Sequence, residues 1–281
     1  MLRAFGTSLR TWIGRSTKNR ISAVLVGMLA TIAVQSSTAT AVITASFAAR
    51  DLLSGTMAQA VMLGANVGTG LVAAILSTDL HWLAPLMILI GVAVFFRSHR
   101  SRGKGIGRSI LGLGLMLLAL RLLGEATAPI RESSLVILML RGLENAPFFA
   151  LLFSTGLAFL ASSSLAVVLF VVLLGNGGVV TPVLALVLVA GANLGGAIPP
   201  YLAVLHEGVE AKRLALTNLA IRAAGAIALT FGAAYVATLA APFWPSTGAL
   251  ALAAHVGFSL ALLLIFLPVL GPVTRMMERL V

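Results

Sequence analysis

The 281-residue chain has no cysteine, and charged residues make up only 10% of it. The first absence removes disulfides, thiol nucleophiles and thiolate metal sites. The second, with 59% hydrophobic residues and a mean hydropathy of +1.07, excludes an ordinary soluble domain and predicts a polytopic membrane protein. Acidic residues are scarcer than basic ones, 8 against 19, leaving a net charge of +11. In a soluble protein that excess would suggest nucleic acid. Here the basic residues crowd into short segments between apolar runs, which reads as cytoplasmic anchoring at a lipid bilayer and not as a nucleic-acid surface. A small-residue cleavage site leading into a soluble mature domain is also missing, so the basic start is not read as a signal peptide.

What is present twice is more informative. Gln35-Ser36-Ser37-Thr38 is echoed by Ala161-Ser162-Ser163-Ser164, and Gly64-Ala65-Asn66-Val67-Gly68 by Gly191-Ala192-Asn193-Leu194-Gly195. Aligned on these letters, the first pair is offset by 126 positions (35 and 161) and the second by 127 (66 and 193). A duplicated apolar unit with helix-breaking, hydroxyl- and amide-rich sequence at membrane depth points to a secondary transporter with its site where the repeats meet.

The pattern predicts an interfacial helix over residues 2–20, carrying Leu2, Phe5, Leu9, Trp12 and Ile13 at helical spacing among basic residues. The apolar stretch 21–49, interrupted near Gln35, is long for one span and suits a re-entrant hairpin. Residues 57–76 and 83–96 come next as spans, then a basic loop with Arg97, Arg100, Arg102, Lys104 and Arg108. A span at 106–123, a short interfacial helix at 131–144, a second interrupted stretch at 148–174, and segments 179–205, 214–240 and 250–270 complete the chain. The predicted class is an all-α polytopic membrane protein of two inverted-topology repeats, each with a re-entrant hairpin and a broken transmembrane helix. The first repeat is placed at 1–105, the second at 106–245, and a C-terminal helix with a short tail at 246–281.

Parity of crossings supports the inversion. If the first hairpin leaves on the side it entered, every strong basic cluster, including Lys212-Arg213 and Arg275 with Arg279, falls on one side, which the positive-inside rule makes cytoplasmic. The expected location is the inner (plasma) membrane, with the start of the chain cytoplasmic. The span at 106–123 has no counterpart ahead of the first hairpin, so an N-terminal helix is either omitted or dispensed with.

Irregular backbone at membrane depth persists only where it lines a protein-enclosed or watery cavity. Gln35, Ser36, Ser37, Thr38, Asn66 and Thr69, with Ser162, Ser163, Ser164 and Asn193, are the candidate substrate and ion ligands. Their oxygens suit a hard cation such as sodium, and their hydroxyls and amides, with helix N-termini, suit an anion. The polar segments contain no Asp, Glu or His, so no titrating side chain is there to carry a coupled proton, and no base stands by a serine for intramembrane catalysis. The chain is not read as an enzyme. Against ligation, Ser and Thr in membrane helices commonly bond a carbonyl one turn back. Arg222 is read as snorkelling to the interface, His255 as a satisfied packing histidine, and Pro199-Pro200 as a kink.

The run Thr31 to Thr40, with Leu63-Gly64-Ala65-Asn66-Val67-Gly68-Thr69 after it, resembles the sodium/phosphate cotransporter (Na/Pi symporter) family. That family carries a QSSS and a GANIGT segment in each of two inverted repeats; Leu9-Arg10 and Thr17 to Arg20 also match its lead-in. The second repeat departs, with Ala161 in place of the glutamine and Gly195-Gly196-Ala197 in place of Gly-Thr-Thr. The resemblance is to a bacterial type without the PhoU-like domain. It implies phosphate as substrate, sodium as coupling ion at Gln35, Ser37, Asn66, Ser163 and Asn193, no organic cofactor, and transport by alternating access. The ligand inventory alone says anion plus hard cation. A carrier for another oxyanion and a non-transporting scaffold therefore stay open, as does homo-oligomerisation.

Overall fold

The computed structural model describes residues 19–78, 80 and 82–281. The interfacial helix expected over residues 2–20 lies outside them except at its last two positions. Among the described residues the chain is helical, without strands. Its helices are α1 (Arg20–Val34), α2 (Ser37–Ala48), α3 (Gly55–Leu76), α4 (Leu83–Arg97), α5 (Ser101–Glu132), α6 (Ser134–Glu144), α7 (Pro147–Leu160), α8 (Ser164–Asn176), α9 (Pro182–Gly195), α10 (Ile198–Ala203), α11 (Val209–Ala240) and α12 (Thr247–Leu280).

Small polar residues decide where these helices start. Asn19 opens α1 with a reciprocal cap: Ser22 N donates to Asn19 Oδ1 at 2.8 Å, and Asn19 N donates to Ser22 Oγ at 3.0 Å. Ser36, Ser54, Ser133, Ser163, Thr181 and Ser246 cap α2, α3, α6, α8, α9 and α12 through side-chain oxygens that accept an amide three residues on. Pro147 and Pro182 sit in the first turns of α7 and α9, where an amide hydrogen would have no partner.

Among the described residues, five segments are long and apolar enough to cross a membrane: α3, α5, the α9–α10 pair, α11 and α12. Large apolar side chains such as Phe231, Leu264 and Leu160 lie exposed on the outside, as lipid-facing surfaces require. The chain is a polytopic membrane protein. α1, α2, α4, α7 and α8 have 15, 12, 15, 14 and 13 residues, each too short as a straight helix for a ~30 Å hydrocarbon core at ~1.5 Å per residue, so the span expected over 83–96 is met only by the short helix α4. α6 meets α7 at 119°, so the expected separate short helix before the second interrupted stretch is present over Ser134–Glu144.

α3 and α9 form the buried centre, and both are held by the same close contacts. A Cβ on Gly64 would strike the Val24 carbonyl of α1, and one on Gly191 the Leu151 carbonyl of α7. One turn further, Gly68 meets the Met28 carbonyl and Gly195 the Thr155 carbonyl. Each second-half partner stands 127 positions after its first-half counterpart (24 and 151, 28 and 155, 64 and 191, 68 and 195). Gly27, which abuts Val61, is matched by Ser154, whose Oγ donates to Leu188 O at 2.5 Å. Backbone contact through small residues substitutes for the hydrophobic effect, which is weak between helices in lipid.

The halves also differ in helix continuity. α3 runs unbroken through Gly64 to Thr69, so the expected break at Asn66 is not there. In the second half α9 stops at Gly195 and the chain resumes as α10, where Pro199 and Pro200 lack the amide hydrogens that would extend the α9 ladder.

Candidate functional site

The two hydroxyl-rich tips are built alike. α1 ends at Val34; Gln35 turns left-handed at φ 55° and its amide donates to Thr31 O at 2.6 Å. Ser36 then extends at φ −150°, ψ 105°, and its Oγ accepts Ala39 N at 3.1 Å to start α2. In the second half Ser162 turns left-handed at φ 50°. Ser163 comes next at φ −152°, ψ 104°, with its Oγ accepting Ala166 N at 3.1 Å to start α8. Gln35 is therefore the counterpart of Ser162, not of Ala161. The offset is 127, the same as for the asparagines, and the letter-by-letter alignment of the tips is corrected by one residue. A left-handed conformation at a residue other than glycine stores strain, and two matched instances facing each other mark a constrained site.

These tips close on a common cavity of about 120 Å³. One wall is Gln35, Ser36, Ser37 and Thr38, with Thr31 behind; the opposite wall is Ser162, Ser163 and Ser164, with Leu165. α3 contributes Thr69 and Val72, and Gly196 closes the side at the end of α9. The volume is well above the ~10–15 Å³ that one water needs. No charged side chain lines it. The first turns of α2 and α8 both start at its wall, and the unpaired amides of a helix start carry partial positive charge. Two helix starts and eight hydroxyls thus surround a small polar space.

Eight of the ten sequence-predicted site residues line this cavity; Asn66 and Asn193 stand outside its lining. Asn66 donates through Nδ2 to Asn218 Oδ1 at 3.0 Å, both residues being buried. Asn193 is fully buried and donates through Nδ2 to Val189 O at 2.8 Å, while its Oδ1 has no hydrogen-bond partner among the described residues. Thr69 keeps to the packing pattern as well as lining the space, since its Oγ1 donates to Ala65 O at 3.1 Å. Behind the first tip Thr31 Oγ1 donates to Thr40 Oγ1 at 3.1 Å, a buried pair that fixes the turn.

Two residues outside the predicted set join this region. Asn218 carried no motif; its signal was an amide inside an apolar helix, four positions before Arg222. Arg222 does not snorkel. It is buried, and its Nη1 donates to Asn193 O at 2.7 Å. His255 is buried too, and neither ring nitrogen has a hydrogen-bond partner among the described residues, so it packs without being satisfied. No group of three His, Asp or Glu side chains able to hold a metal occurs among the described residues, so any cation here would meet neutral oxygens.

The first tip and the first Gly-Ala-Asn segment, at Gln35–Thr38 and Gly64–Gly68, carry the resemblance to a known family. Residues 1–125 match the Na+/Pi-cotransporter family. The resemblance carried by the first tip and the first Gly-Ala-Asn segment therefore holds. Over its whole length the chain is 36% identical to the Escherichia coli (strain K12) protein named "Putative inorganic phosphate export protein YjbB", covering 52% of that protein. The Salmonella typhimurium protein of the same name is 39% identical over 82% of this chain and 42% of its own length. "Uncharacterized protein YqeW" of Bacillus subtilis is 26% identical over 76% of this chain and 70% of its own length. The chain thus spans about half the length of the Escherichia coli relative. No solved structure matches it.

Proposed function

We propose that the chain carries inorganic phosphate across the inner membrane, coupled to sodium, by alternating access between two inverted repeats. The observation that bears most weight is the pair of matched serine-capped helix starts, at Ser36 and Ser163, opening on one uncharged, hydroxyl-lined cavity. A tetrahedral oxyanion suits such a place, because helix-start amides and hydroxyls offer hydrogen bonds without fixed counter-charge. The family match and the relatives' name supply phosphate as the oxyanion and sodium as its partner.

In this reading α1–α2 and α7–α8 are re-entrant hairpins that enter from opposite faces and meet at mid-membrane. The first repeat is 1–105 and the second 106–245, with the C-terminal helix after them. Phosphate is held by Ser36, Ser37, Ser163 and Ser164 with the first-turn amides of α2 and α8. Sodium is held by Gln35, Ser37, Thr38 and Thr69, with Ser162 and Ser163 across the cavity. Asn66 and Asn193 brace the walls, and the Asn193 carbonyl is already engaged by Arg222. Export or uptake is set by the gradients, and the relatives' name favours export.

The deciding measurement is radiolabelled phosphate flux in proteoliposomes under a sodium gradient, against choline, at matched concentrations of each phosphate protonation form. Sodium-dependent flux, blocked by excess phosphate and resistant to a protonophore, is the expected result. Full flux in choline that collapses with the protonophore overturns sodium coupling. Flux inhibited by sulfate more strongly than by phosphate overturns the substrate.

A further inference from the structure

Arg222 is a buried cation without a matching anion. It stands 13 residues into α11, roughly 20 Å from the start of that helix, and is 2% exposed. No carboxylate is buried among the described residues, and the ion pairs there, Arg121 with Glu125 and Arg213 with Glu210, lie elsewhere. Its Nε and Nη2 have no hydrogen-bond partner among the described residues. A charge so placed is costly unless something offsets it.

The one bond it makes explains where it points. Because α9 stops at Gly195, the Ala197 amide turns to Leu194 O at 3.0 Å instead of continuing the ladder to Asn193 O. The Asn193 carbonyl is thereby freed at the negative end of a half-helix, the kind of place where transporters coordinate a coupling cation. Nη1 of Arg222 occupies it at 2.7 Å. The same helix end leads into Gly196, which lines the tip cavity and is packed against Ser164. In the first half α3 is continuous and frees no such carbonyl; there, one turn back on α11, Asn218 meets Asn66 through a neutral amide pair.

We propose that Arg222 is a resident cation of the second repeat: its guanidinium takes the α9 carbonyl end in place of a sodium ion and supplies the charge that balances the bound oxyanion. The coupling sodium then binds at the tip cavity alone, and none binds at the α9 carbonyl end. This rests on the sodium-coupled oxyanion reading. It differs from simple helix capping in what it demands of charge, because a cap can be replaced by any donor and a resident cation cannot.

The test is the sodium-to-phosphate coupling ratio, from 22Na+ and 32P-phosphate fluxes in the same proteoliposomes, for wild type, Arg222→Lys and Arg222→Met. Arg222→Met is expected to need one further sodium per phosphate, with a steeper sodium activation and a sodium requirement raised about tenfold. It should also gain more thermal stability from sodium than wild type does. Arg222→Lys should keep the wild-type ratio. An unchanged ratio in a folded Arg222→Met, or Arg222→Lys behaving like Arg222→Met, overturns the proposal while leaving the transport reading intact. Absence of sodium-driven flux in wild type overturns both. If Arg222→Met does not fold, equilibrium 22Na+ binding decides: Gln35→Ala in the first tip should abolish it, and residual binding sinks the proposal.

Discussion

Ser36 and Ser163 hold the same backbone conformation within two degrees, and each accepts the amide three residues on at 3.1 Å. Equal geometry implies equal energetics. Ser36→Ala and Ser163→Ala should each cost about 1 kcal/mol, the usual loss on removing a hydroxyl cap, whereas Ser→Gly at either place should cost only a few tenths. Thermal unfolding of the detergent-solubilised variants measures this. A difference between the two alanine variants well above about 1 kcal/mol would show that the tips are not energetic counterparts.

A second prediction comes from backbone contact. Gly64→Ala and Gly191→Ala each drive a methyl into a neighbouring carbonyl, of Val24 and of Leu151, and a backbone atom cannot swing aside as a side chain can. Overpacking of this kind costs about 1–3 kcal/mol or more. Gly232→Ala, on α11 with nothing within 4 Å of the added carbon, should instead gain up to about 1 kcal/mol from helix propensity. Monodispersity on size exclusion after mild heating ranks the three. Normal stability of Gly64→Ala would contradict the α1–α3 contact.

The tips were legible because hydroxyls in an apolar stretch stand out, and eight of the ten residues named from sequence line one cavity. The register was less legible. Matching the serine runs by their letters pairs Gln35 with Ala161, but the left-handed turn falls on Ser162, and backbone conformation leaves no letter behind. Identical Gly-Ala-Asn letters likewise hid a difference. The residues just after them decide whether the helix continues, Val67-Gly68-Thr69 allowing it in α3 and Gly196-Ala197 with two prolines ending it in α9. The Arg222–Asn193 bond joins residues 29 positions apart on different helices, and no local pattern announces it.

The Asn66–Asn218 pair gives a third prediction. Asn218→Ala leaves the Asn66 Nδ2 group buried without its acceptor, which should cost about 1–3 kcal/mol. Asn66→Ala combined with Asn218→Ala removes donor and acceptor together, so the double variant should be more stable than the sum of the single losses allows. Simple additivity in a double-mutant cycle would show that the two amides do not interact.

The fourth prediction concerns orientation, on which alternating access by inverted repeats depends. Basic residues gather at the α4–α5 junction, with Arg97 ending α4, Arg100 between the helices and Arg102, Lys104 and Arg108 in the first turns of α5, and at Lys212-Arg213 at the start of α11. If both interrupted stretches are hairpins, an even number of crossings separates these clusters and the positive-inside rule puts both in the cytoplasm. Cysteines at Ser101 and Lys212 should then react with a membrane-impermeant maleimide only from the cytoplasmic side. Cysteines at the exposed Ser77, after α3, and Asn145, between α6 and α7, should react only from outside. The chain has no native cysteine, so every labelled band reports the introduced site. Reaction of positions 101 and 212 from opposite faces would mean that one hairpin crosses the bilayer, and the inverted arrangement would fall with it.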